Sequence, residues 1–329
     1  MPDLASPIRV GLIGRGLGGR AFHQPLLAAL AEFDLSVTSG AGEAAATAVA
    51  PDLELIVIST PNVNHHPLAR AALEAGKHVV VDKPLTVTVD EADDLIRVAQ
   101  GTGRMLTVFH NRRWDGDFLT VRKLLAEGRI GAPMLFEAHW DRFRPAIKPG
   151  WREHAGPGTG LLNDLGPHLI DQALCLFGKP SAIDADLLCQ RADAQVDDYF
   201  ELRLHYEHCR VRLAASTLVA DPRPRFAVHG TVGSYVKHGL DPQEAALRNG
   251  ADPLSQGCGR DERDGTLTLG DGSHPWPTER GCYADFYRSV AAAIRLGAPP
   301  AVDPLDARDG LELIALARES AARGRTLPV

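Results

Sequence analysis

One stretch near the amino terminus decides the fold: the apolar run Ile8-Arg9-Val10-Gly11-Leu12-Ile13 continues directly into Gly14-Arg15-Gly16-Leu17-Gly18-Gly19. The run has the length of a buried strand, and a G-x-G-x-x-G loop that opens a helix is typical of dinucleotide-binding folds. The first glycine permits a tight turn, the second lets the backbone approach a pyrophosphate, and the third lets helix and strand pack closely. The pattern predicts a dinucleotide site that includes Arg15 and Leu17; a sharp turn that binds nothing is the alternative.

The rest of the first third alternates short apolar runs with helical stretches. After Ile8–Ile13 the runs are Leu35–Thr38, Leu53–Ile58, His78–Val81 and Met105–Phe109. The last three start about 25 residues apart, the period of a strand–helix–strand unit, which predicts a parallel sheet. Helices are expected from Pro67 to Ala75, before Gly76, and from Val89 to Gln100, where Thr88-Val89-Asp90-Glu91 forms a capping box and Gly101 follows the end.

After about residue 110 apolar and polar residues alternate, as in an antiparallel sheet with one solvent-facing side. The expected strands are Leu135–Trp140, Ile183–Leu188, Tyr199–Tyr206, Arg210–Thr217 and Thr266–Leu269. One strong helix, Leu161 to Phe177, interrupts them, and a last helix from about 304 to 323 is expected to pack back. The polar, Gly- and Pro-rich stretch from Asp241 to Arg280 is expected to contribute little core.

The sequence therefore predicts an α/β protein with two domains. Residues 1–112 would form a shortened Rossmann domain that binds a dinucleotide. Residues 113–329 would form an α+β domain with an open, mainly antiparallel sheet.

Composition excludes several classes of protein. The 329 residues include 35 Lys and Arg against 42 Asp and Glu, a net charge of −7 without the clustered basic face that binds nucleic acid. No window approaches the roughly 18 consecutive apolar residues of a membrane-spanning helix, and the first seven residues lack the features of an export signal. Five scattered cysteines without a C-x-x-C pattern, and histidines without ligand spacing, predict reduced thiols in the cytoplasm and no metal site.

The end of the second predicted strand bears on the choice of nucleotide. NAD-binding proteins usually place a carboxylate there for the ribose 2′-hydroxyl, whereas this chain has Thr38-Ser39-Gly40. Hydroxyl groups accept a 2′-phosphate, so NADP is favoured, with Ser39 as a contact, and NAD remains the alternative. Arg15 either reaches that phosphate or is a solvated loop charge. Only some 13 residues separate Ser39 from Leu53, enough for one short helix.

Two more segments lie where open parallel sheets bind ligands, beyond the carboxyl ends of strands. The first is Ser59-Thr60-Pro61-Asn62 with His65, and the second is Asp82-Lys83-Pro84. Lys83 is one of six lysines in a chain with 29 arginines. A lysine at a strand end either serves a site or simply meets solvent.

In the second domain, the glycine-rich segment 156–160 leads into a helix that carries Asp164, His168 and Asp171 at positions i, i+4 and i+7, on one face. A histidine beside a carboxylate is a natural proton acceptor, because the carboxylate orients the ring and stabilises the imidazolium. A surface Asp–His pair without chemistry is the alternative.

Four motifs occur in a fixed order along the chain: Gly14-x-Gly16-x-x-Gly19, Thr60-Pro61-Asn62 with His65, Asp82-Lys83-Pro84, and Asp164-x-x-x-His168. Together they resemble the Gfo/Idh/MocA family of nicotinamide-dependent oxidoreductases over nearly the whole chain. The resemblance implies that Lys83 and His168 are catalytic and that Asp164 binds substrate or orients the site. It also implies a set of cofactor contacts: Thr60, Pro61, Asn62, His65, Asp82, Trp151 and Arg152.

Three further segments resemble the NADP-dependent scyllo-inositol dehydrogenases of that family: Val108 to Asp115, Asp141 to Pro145 and Gly233 to Glu244. Two features depart from the family pattern: Asp82 replaces the commoner Glu, and the segment after Ser39 is short.

The expected reaction is interconversion of a ring secondary alcohol and its ketone, in a cyclitol or sugar. The expected substrate contacts are Asp164, Asn111, Arg112 and Tyr283. An aldose or keto-sugar dehydrogenase of the same fold and a non-catalytic nucleotide-binding regulator are the alternatives. The resemblance implies that residues 113–329 bind the substrate and mediate oligomerisation, as a homodimer or homotetramer formed through the C-terminal sheet. The composition predicts no nucleic acid or membrane partner.

Overall fold

The structure is a computed structural model that describes residues 6–329. Its strands are β1 Ile8–Ile13, β2 Phe33–Ser39, β3 Leu55–Ile58, β4 His78–Asp82, β5 Leu106–Phe109, β6 Pro133–Asp141, β7 Ala182–Leu188, β8 Tyr199–His205, β9 Arg210–Ser216, β10 Phe226–Gly230, β11 Ser234–Lys237, β12 Gly265–Leu269, β13 Gly272–Trp276 and β14 Leu327–Pro328. Its α-helices are α1 Gln24–Ala29, α2 Ala44–Ala48, α3 His65–Glu74, α4 Val89–Thr102, α5 Gly116–Ala126, α6 Leu161–Phe177, α7 Gln243–Arg248, α8 Ala284–Leu296 and α9 Pro304–Arg323. Most of the segment used for the export-signal expectation lies outside the described residues.

The described chain divides into two compact units, each assembled from three stretches of sequence. Unit 1 contains residues 6–115, 242–259 and 281–308, and unit 2 contains residues 116–241, 260–280 and 309–329. The chain first passes from unit 1 to unit 2 after residue 115, close to the predicted boundary at 112. Two later stretches of the chain belong again to unit 1.

Unit 1 is built on a five-stranded parallel sheet with the order β2-β1-β3-β4-β5. Strands β3 and β5 are buried along their whole length, because helices cover both faces of such a sheet. Strand β1 lies between β2 and β3, so the strand order reverses there, and ligands bind in the crevice at such a point. A single short helix, α2, joins β2 to β3, as expected. The predicted Rossmann-type α/β fold is confirmed.

Helix α4 begins as expected and ends later. Both hydrogen bonds of the Thr88–Glu91 capping box are present. The helix continues past Gly101 to Thr102, because Gly103, with φ of +63°, supplies the left-handed residue that ends it.

Helix α8 was not predicted, although its sequence carries a helical signal. Phe286, Tyr287 and Val290 are buried along one side of it. The i, i+4 spacing of Phe286 and Val290 is the signal that would have identified this helix.

Unit 2 is built on a nine-stranded sheet with the order β13-β12-β11-β10-β6-β9-β8-β7-β14. Strands β6 and β9 run parallel, and all the other neighbouring pairs run antiparallel. Helix α6 has the predicted bounds and packs on β6, β8 and β9. The predicted mainly antiparallel sheet is confirmed.

Elements α5, β10 and β11 were not predicted from the sequence. Residues 241–280 contain the predicted strand at Thr266–Leu269, which is β12, together with the unpredicted α7 and β13. Three apolar side chains of this stretch are buried: Leu247, Cys258 and Leu267. Its many glycines and prolines, of which Gly265, Gly272 and Pro275 lie within β12 and β13, concealed these short elements.

Candidate active site

The glycine loop after β1 is shaped by steric limits that only glycine meets. Gly14 has φ of +129°, and a Cβ there would overlap the backbone oxygen of Ser59. A Cβ on Gly19 would overlap the oxygen of Gly14, so the following helix starts directly against the strand. Around Gly16, in contrast, no described atom beyond its chain neighbours lies within 4 Å of a Cβ position. The exposed loop thus leaves an open backbone cradle at a helix start, which fits a pyrophosphate.

A charge pair that the sequence pattern did not reveal lies at the carboxyl end of β2. Nη2 of Arg15 donates hydrogen bonds to the Thr38 carbonyl and to the Glu43 carboxylate, both at 3.0 Å. The Glu43 carboxylate also accepts from the Gly40 N–H at 3.2 Å. Glu43 lies after the end of β2, and its carboxylate contacts Arg15 and Gly40 at the strand end. The residues of the strand end alone therefore did not reveal this carboxylate. Ser39, the predicted phosphate contact, is only 1% exposed.

The loop after β3 is tied to the loop after β4 by one buried histidine. His65 Nδ1 lies 2.8 Å from the Pro84 carbonyl oxygen, and Nε2 lies 3.0 Å from the Thr60 carbonyl oxygen. Burial lowers the pKa of His65, although both carbonyl groups act in the opposite direction. Pro61 is exposed and Asn62 is buried in the same loop. His65 therefore holds the two loops together, while Thr60 and Pro61 lie nearer the surface.

The carboxylate of Asp82 is held by donors from several directions. Oδ2 accepts from the Ser59 hydroxyl at 3.0 Å, and Oδ1 accepts from the Lys83 N–H at 2.9 Å. His23 Nε2 lies 3.6 Å from Oδ2. Burial raises the pKa of Asp82, but the neighbouring His23 and the charge of Lys83 hold it well below its usual range. Asp82 is thus a fixed negative charge next to the predicted catalytic lysine.

Lys83 follows β4 directly and is partly buried. Since the carboxyl ends of parallel strands meet at one edge of a sheet, Lys83, the glycine loop and the Thr60 loop share that edge. The structure therefore brings the predicted residues of unit 1 to the crevice side of the sheet.

Arg112 and Tyr283, both predicted to bind substrate, bind each other in the structure. Arg112 Nη1 donates to the Tyr283 hydroxyl at 2.5 Å, and that hydroxyl donates to Asp115 at 2.7 Å. Nη2 of Arg112 pairs with the Glu244 carboxylate. Both residues are buried, as is Asn111. Their polar groups are engaged inside unit 1, and their contact with substrate stays a prediction.

In unit 2, Asp164 lies at the start of α6 between two arginines. Its carboxylate is 3.6 Å from Nη1 of Arg142 and 3.5 Å from Nε of Arg152. The Arg152 guanidinium lies 4.5 Å from the ring centroid of Trp151. The side chain of Asp164 is about a quarter exposed, at 24%, so an ionised, solvent-accessible carboxylate is kept in place by neighbouring positive charge.

His168, one turn after Asp164, is buried against an aromatic surface. Its ring stacks on Trp140, with centroids 5.6 Å apart and an interplanar angle of 28°. The guanidinium of Arg225 lies 5.2 Å from the Trp140 ring centroid, and its Nη2 donates to Gln172 on α6 at 2.6 Å. Trp140 and Arg225 therefore fix the helix segment that carries His168.

Arg225 also belongs to a buried ionic group in unit 2. Its Nε lies 3.7 Å from Oδ2 of Asp117, and the other Asp117 oxygen accepts from the Phe118 N–H at 2.7 Å. Burial raises the pKa of Asp117 to about 6, with the Asp241 carboxylate adding to this and Arg225 opposing it.

Two negative searches apply to the described residues 6–329. They contain no group of three or more His, Cys, Asp and Glu side chains arranged to hold a metal ion. In the same range, no helix has the length and apolar character needed to cross a membrane.

Comparison with known proteins places this geometry in a family. Residues 31–110 match the family model described as an oxidoreductase family with an NAD-binding Rossmann fold, and residues 118–236 match the Gfo/Idh/MocA C-terminal domain. The chain is 46% identical to the oxidoreductase YdgJ of Escherichia coli, an alignment that covers 98% of this chain and 99% of YdgJ. The chain belongs to the Gfo/Idh/MocA family of oxidoreductases.

Two other Gfo/Idh/MocA relatives are informative. The chain is 39% identical to the NADP(+)-dependent scyllo-inositol 2-dehydrogenase IolW of Bacillus subtilis, over 97% of this chain and 95% of IolW. The structure of the YPO2259 oxidoreductase from Yersinia pestis superposes with a TM-score of 0.94 at 42% identity, covering 99% of this chain and 98% of that one. The predicted resemblance and the assignment as an oxidoreductase are confirmed.

Proposed function

We propose that the protein is an NADP-dependent dehydrogenase that interconverts a ring secondary alcohol and its ketone in a cyclitol, with scyllo-inositol as the first candidate substrate. The observation that carries the proposal is that Lys83 shares one edge of the parallel sheet with an open glycine cradle. A lysine beside a nucleotide cradle supplies a positive charge where an alkoxide develops, and such stabilisation is often the largest single catalytic term. The identity to IolW supports the substrate class.

Each proposed catalytic residue has a distinct task. His168 removes the hydroxyl proton as general base, since its ring is oriented by the stack on Trp140. The Lys83 ammonium stabilises the alkoxide. Asp82 accepts a hydrogen bond from the Lys83 N–H and so fixes the backbone at the end of β4. Asp164, balanced by Arg142 and Arg152, accepts hydrogen bonds from neighbouring hydroxyls. NADP, when bound, would supply the acceptor for the carbinol hydrogen as a hydride.

The proposed cofactor contacts lie mainly in unit 1. The pyrophosphate would bind at Gly14, Gly16 and Gly19, and Leu17 is exposed beside them. The nicotinamide side would be bounded by Thr60, Pro61 and Asn62, and Trp151 and Arg152 are further proposed cofactor contacts. Asn111 remains a proposed substrate contact.

The Arg15–Glu43 pair provides a test of cofactor preference. Glu43 both repels a 2′-phosphate and engages the arginine that would bind it. Glu43→Gln should therefore raise the ratio of kcat/KM for NADP over NAD by about fivefold, roughly the 1 kcal/mol of an exposed ion pair. Arg15→Ala should lower the same ratio. Arg20→Ala, which removes another exposed arginine of the same loop region, is the control. Equal ratios in all three variants would contradict a role for the pair in cofactor choice.

The experiment that tests the function is nicotinamide absorbance with NADP or NAD against a panel of inositols and aldoses. Turnover of scyllo-inositol with NADP supports the proposal in full. Turnover of an aldose instead would change the proposed substrate class and leave the proposed roles of the residues unchanged. Cofactor binding without turnover on any polyol would contradict a dehydrogenase and favour a nucleotide-binding regulator.

We also propose that the protein forms a homo-oligomer through the face of the nine-stranded sheet opposite α6. Alternate residues of β8 and β9 on that face are polar and exposed, including Arg203, Arg210 and Arg212. Arg212→Glu should shift the mass measured by light scattering towards that of one chain, whereas Arg323→Glu on α9 should not. A monomeric wild-type protein would contradict the proposal.

A further inference from the structure

A chain of buried polar side chains lies behind the glycine loop. His23 sits in a π-helical turn, Gly19–His23, that leads into α1. Its Nδ1 is 2.6 Å from the hydroxyl of Tyr287 on α8, and its Nε2 is 3.6 Å from Oδ2 of Asp82. Both His23 and Tyr287 are completely buried. A π-turn inserts an extra residue into the helix, a feature frequent at functional sites.

The chemistry of Tyr287 determines which way the hydrogen bonds run. Burial raises the pKa of Tyr287 well above its usual value, so the hydroxyl keeps its proton. A neutral His23 whose Nδ1 accepts that proton carries its own hydrogen on Nε2, which faces the Asp82 carboxylate. The ring of Phe109, with its centroid 4.4 Å from that of His23, helps to enclose the imidazole.

The glycine loop contacts the other end of this chain. A Cβ on Gly18 would overlap the Ser59 hydroxyl and lie 2.7 Å from Oδ2 of Asp82. Gly18 is not one of the three fingerprint glycines, and its φ of −55° is open to any residue. Glycine is needed at position 18 because the loop rests directly on the Ser59–Asp82 pair.

We propose that Tyr287 and His23 form a positioning chain that orients Asp82 and, through the Lys83 N–H, the catalytic lysine. Because His23 belongs to the helix that starts at the glycine loop, the same chain aligns the lysine with the cofactor cradle. His23 is a positioning residue, since it contacts neither the cradle surface nor the solvent. The inference rests on the proposed function for the role of Lys83, but the hydrogen-bond chain is testable without turnover.

The kinetic test compares His23→Gln with His23→Leu. Glutamine keeps a donor near the position of Nε2, whereas leucine suits the apolar surroundings of Phe109 but donates nothing. We expect His23→Leu to lower kcat about 30-fold, a typical cost of slight misalignment. The kcat of His23→Gln should be at least threefold higher than that of His23→Leu. The melting temperature of His23→Gln should nevertheless be the lower of the two. The KM for the polyol should change less than about twofold in both.

A purely structural histidine would give the opposite order. In that case the more stable leucine variant would also be the more active, and kcat per cofactor-binding site would equal that of the wild type. Either result would overturn the proposal. His139→Gln is the matched control, because this buried histidine of unit 2 bonds only a backbone carbonyl, that of Pro224 at 2.8 Å.

Histidine side-chain ¹⁵N spectra test the chain in the resting protein. The His23 signal, assigned by its absence in His23→Gln, should show the Nε2–H tautomer. It should shift in Asp82→Asn and in Tyr287→Phe. An Nδ1–H tautomer, or a signal unaffected by Asp82→Asn, would overturn the chain whatever the enzyme turns over. If the spectra agree but no polyol reacts, the proposed function fails and the chain stands as a structural assignment.

Discussion

Asp82 in unit 1 is partly buried and Asp117 in unit 2 is fully buried, and their pKa values move in opposite directions. Asp82 accepts hydrogen bonds from the Ser59 hydroxyl and the Lys83 N–H and faces His23, so its pKa is held well below the usual range in spite of burial. Asp117 accepts one backbone hydrogen bond and has Arg225 at 3.7 Å, and burial raises its pKa to about 6.

The difference shows that burial alone does not decide whether a carboxyl group is charged. The number and placement of donors decide it, because each donor replaces part of the lost hydration. Donors converge on Asp82, which lies beside the proposed catalytic lysine, whereas Asp117 lies in the interior of unit 2 with Asp241 nearby. Asp82 therefore keeps its charge to a lower pH than an ordinary aspartate, whereas Asp117 takes up a proton at a higher pH.

The largest expected effect comes from removing the cation next to Asp82. Lys83→Ala should lower kcat about 100- to 1,000-fold, the range measured for loss of one preorganised electrostatic donor. Cofactor affinity, measured by quenching of protein fluorescence, should change little. Lys179→Ala, which removes a surface lysine paired with Asp309, serves as the control. Wild-type turnover by the Lys83→Ala variant would show that Lys83 has no catalytic role.

Asp117 should make the protein less stable as the pH rises. Its folded pKa, about 6, is above the unfolded value of 3.8, so the folded state binds the proton more tightly. The stability contributed by that proton is present below about pH 4 and is lost as the pH passes 6, by about 2–3 kcal/mol. Melting temperatures between pH 4.5 and 7.5 should fall less steeply in Asp117→Asn than in the wild type.

Asp271, an exposed aspartate of unit 2, provides the comparison for that measurement. Asp271→Asn should keep the wild-type slope. If Asp117→Asn also keeps it, Asp117 is ionised at every pH tested and the contrast with Asp82 disappears.

Asp82 should act on stability with the opposite sign. Because its folded pKa is lowered, its contribution is present above its ordinary pKa and is lost only in acid, below about pH 4. Asp82→Asn should lower the free energy of unfolding at pH 7 by about 2 kcal/mol, since it removes a charge-assisted acceptor from buried donors. Urea unfolding at pH 7 and pH 4 measures both values. A loss that is equally large at pH 2 would show that packing, and not charge, accounts for the effect.

A smaller effect is expected from a change to Trp140, which stacks on the proposed general base His168 in unit 2. Trp140→Leu should lower kcat/KM about fivefold, because an aromatic stack contributes about 1 kcal/mol. Trp140→Phe should retain most of the activity. Steady-state kinetics with both variants would test this, and equal activity of the leucine and phenylalanine variants would exclude a role for the stack on His168.

Local signals in the sequence predicted much of the fold. The strand before Gly14, the capping box at Thr88 and helix α6 each depend on residues within a few positions of one another, and all three are present. Short strands such as β10 and β11 were missed because four or five residues carry too little pattern.

The candidate site was predictable as motifs but not as contacts. The repeat of strand and helix predicts a parallel sheet. Because Lys83 follows one of its strands, the sequence also predicts the edge of the sheet at which Lys83 lies. The partner of His23 is 264 residues away in Tyr287, and the pairing of Arg112 with Tyr283 spans 171 residues. No pattern within a single segment reports such pairs, which explains why the sequence did not reveal the buried contacts of Tyr283.

Residues 281–308 belong to unit 1 although they lie near the end of the chain, and this limits which parts of the gene can be exchanged by recombination. Phe33 and Phe109 pack against Tyr287, and the Thr107 hydroxyl donates to the Val302 carbonyl at 2.7 Å. A recombination event that exchanged only the first third of the reading frame would separate a cofactor module from the helix that completes its core. Modular shuffling of nucleotide specificity in this lineage therefore requires several coordinated crossovers, or point substitutions in place.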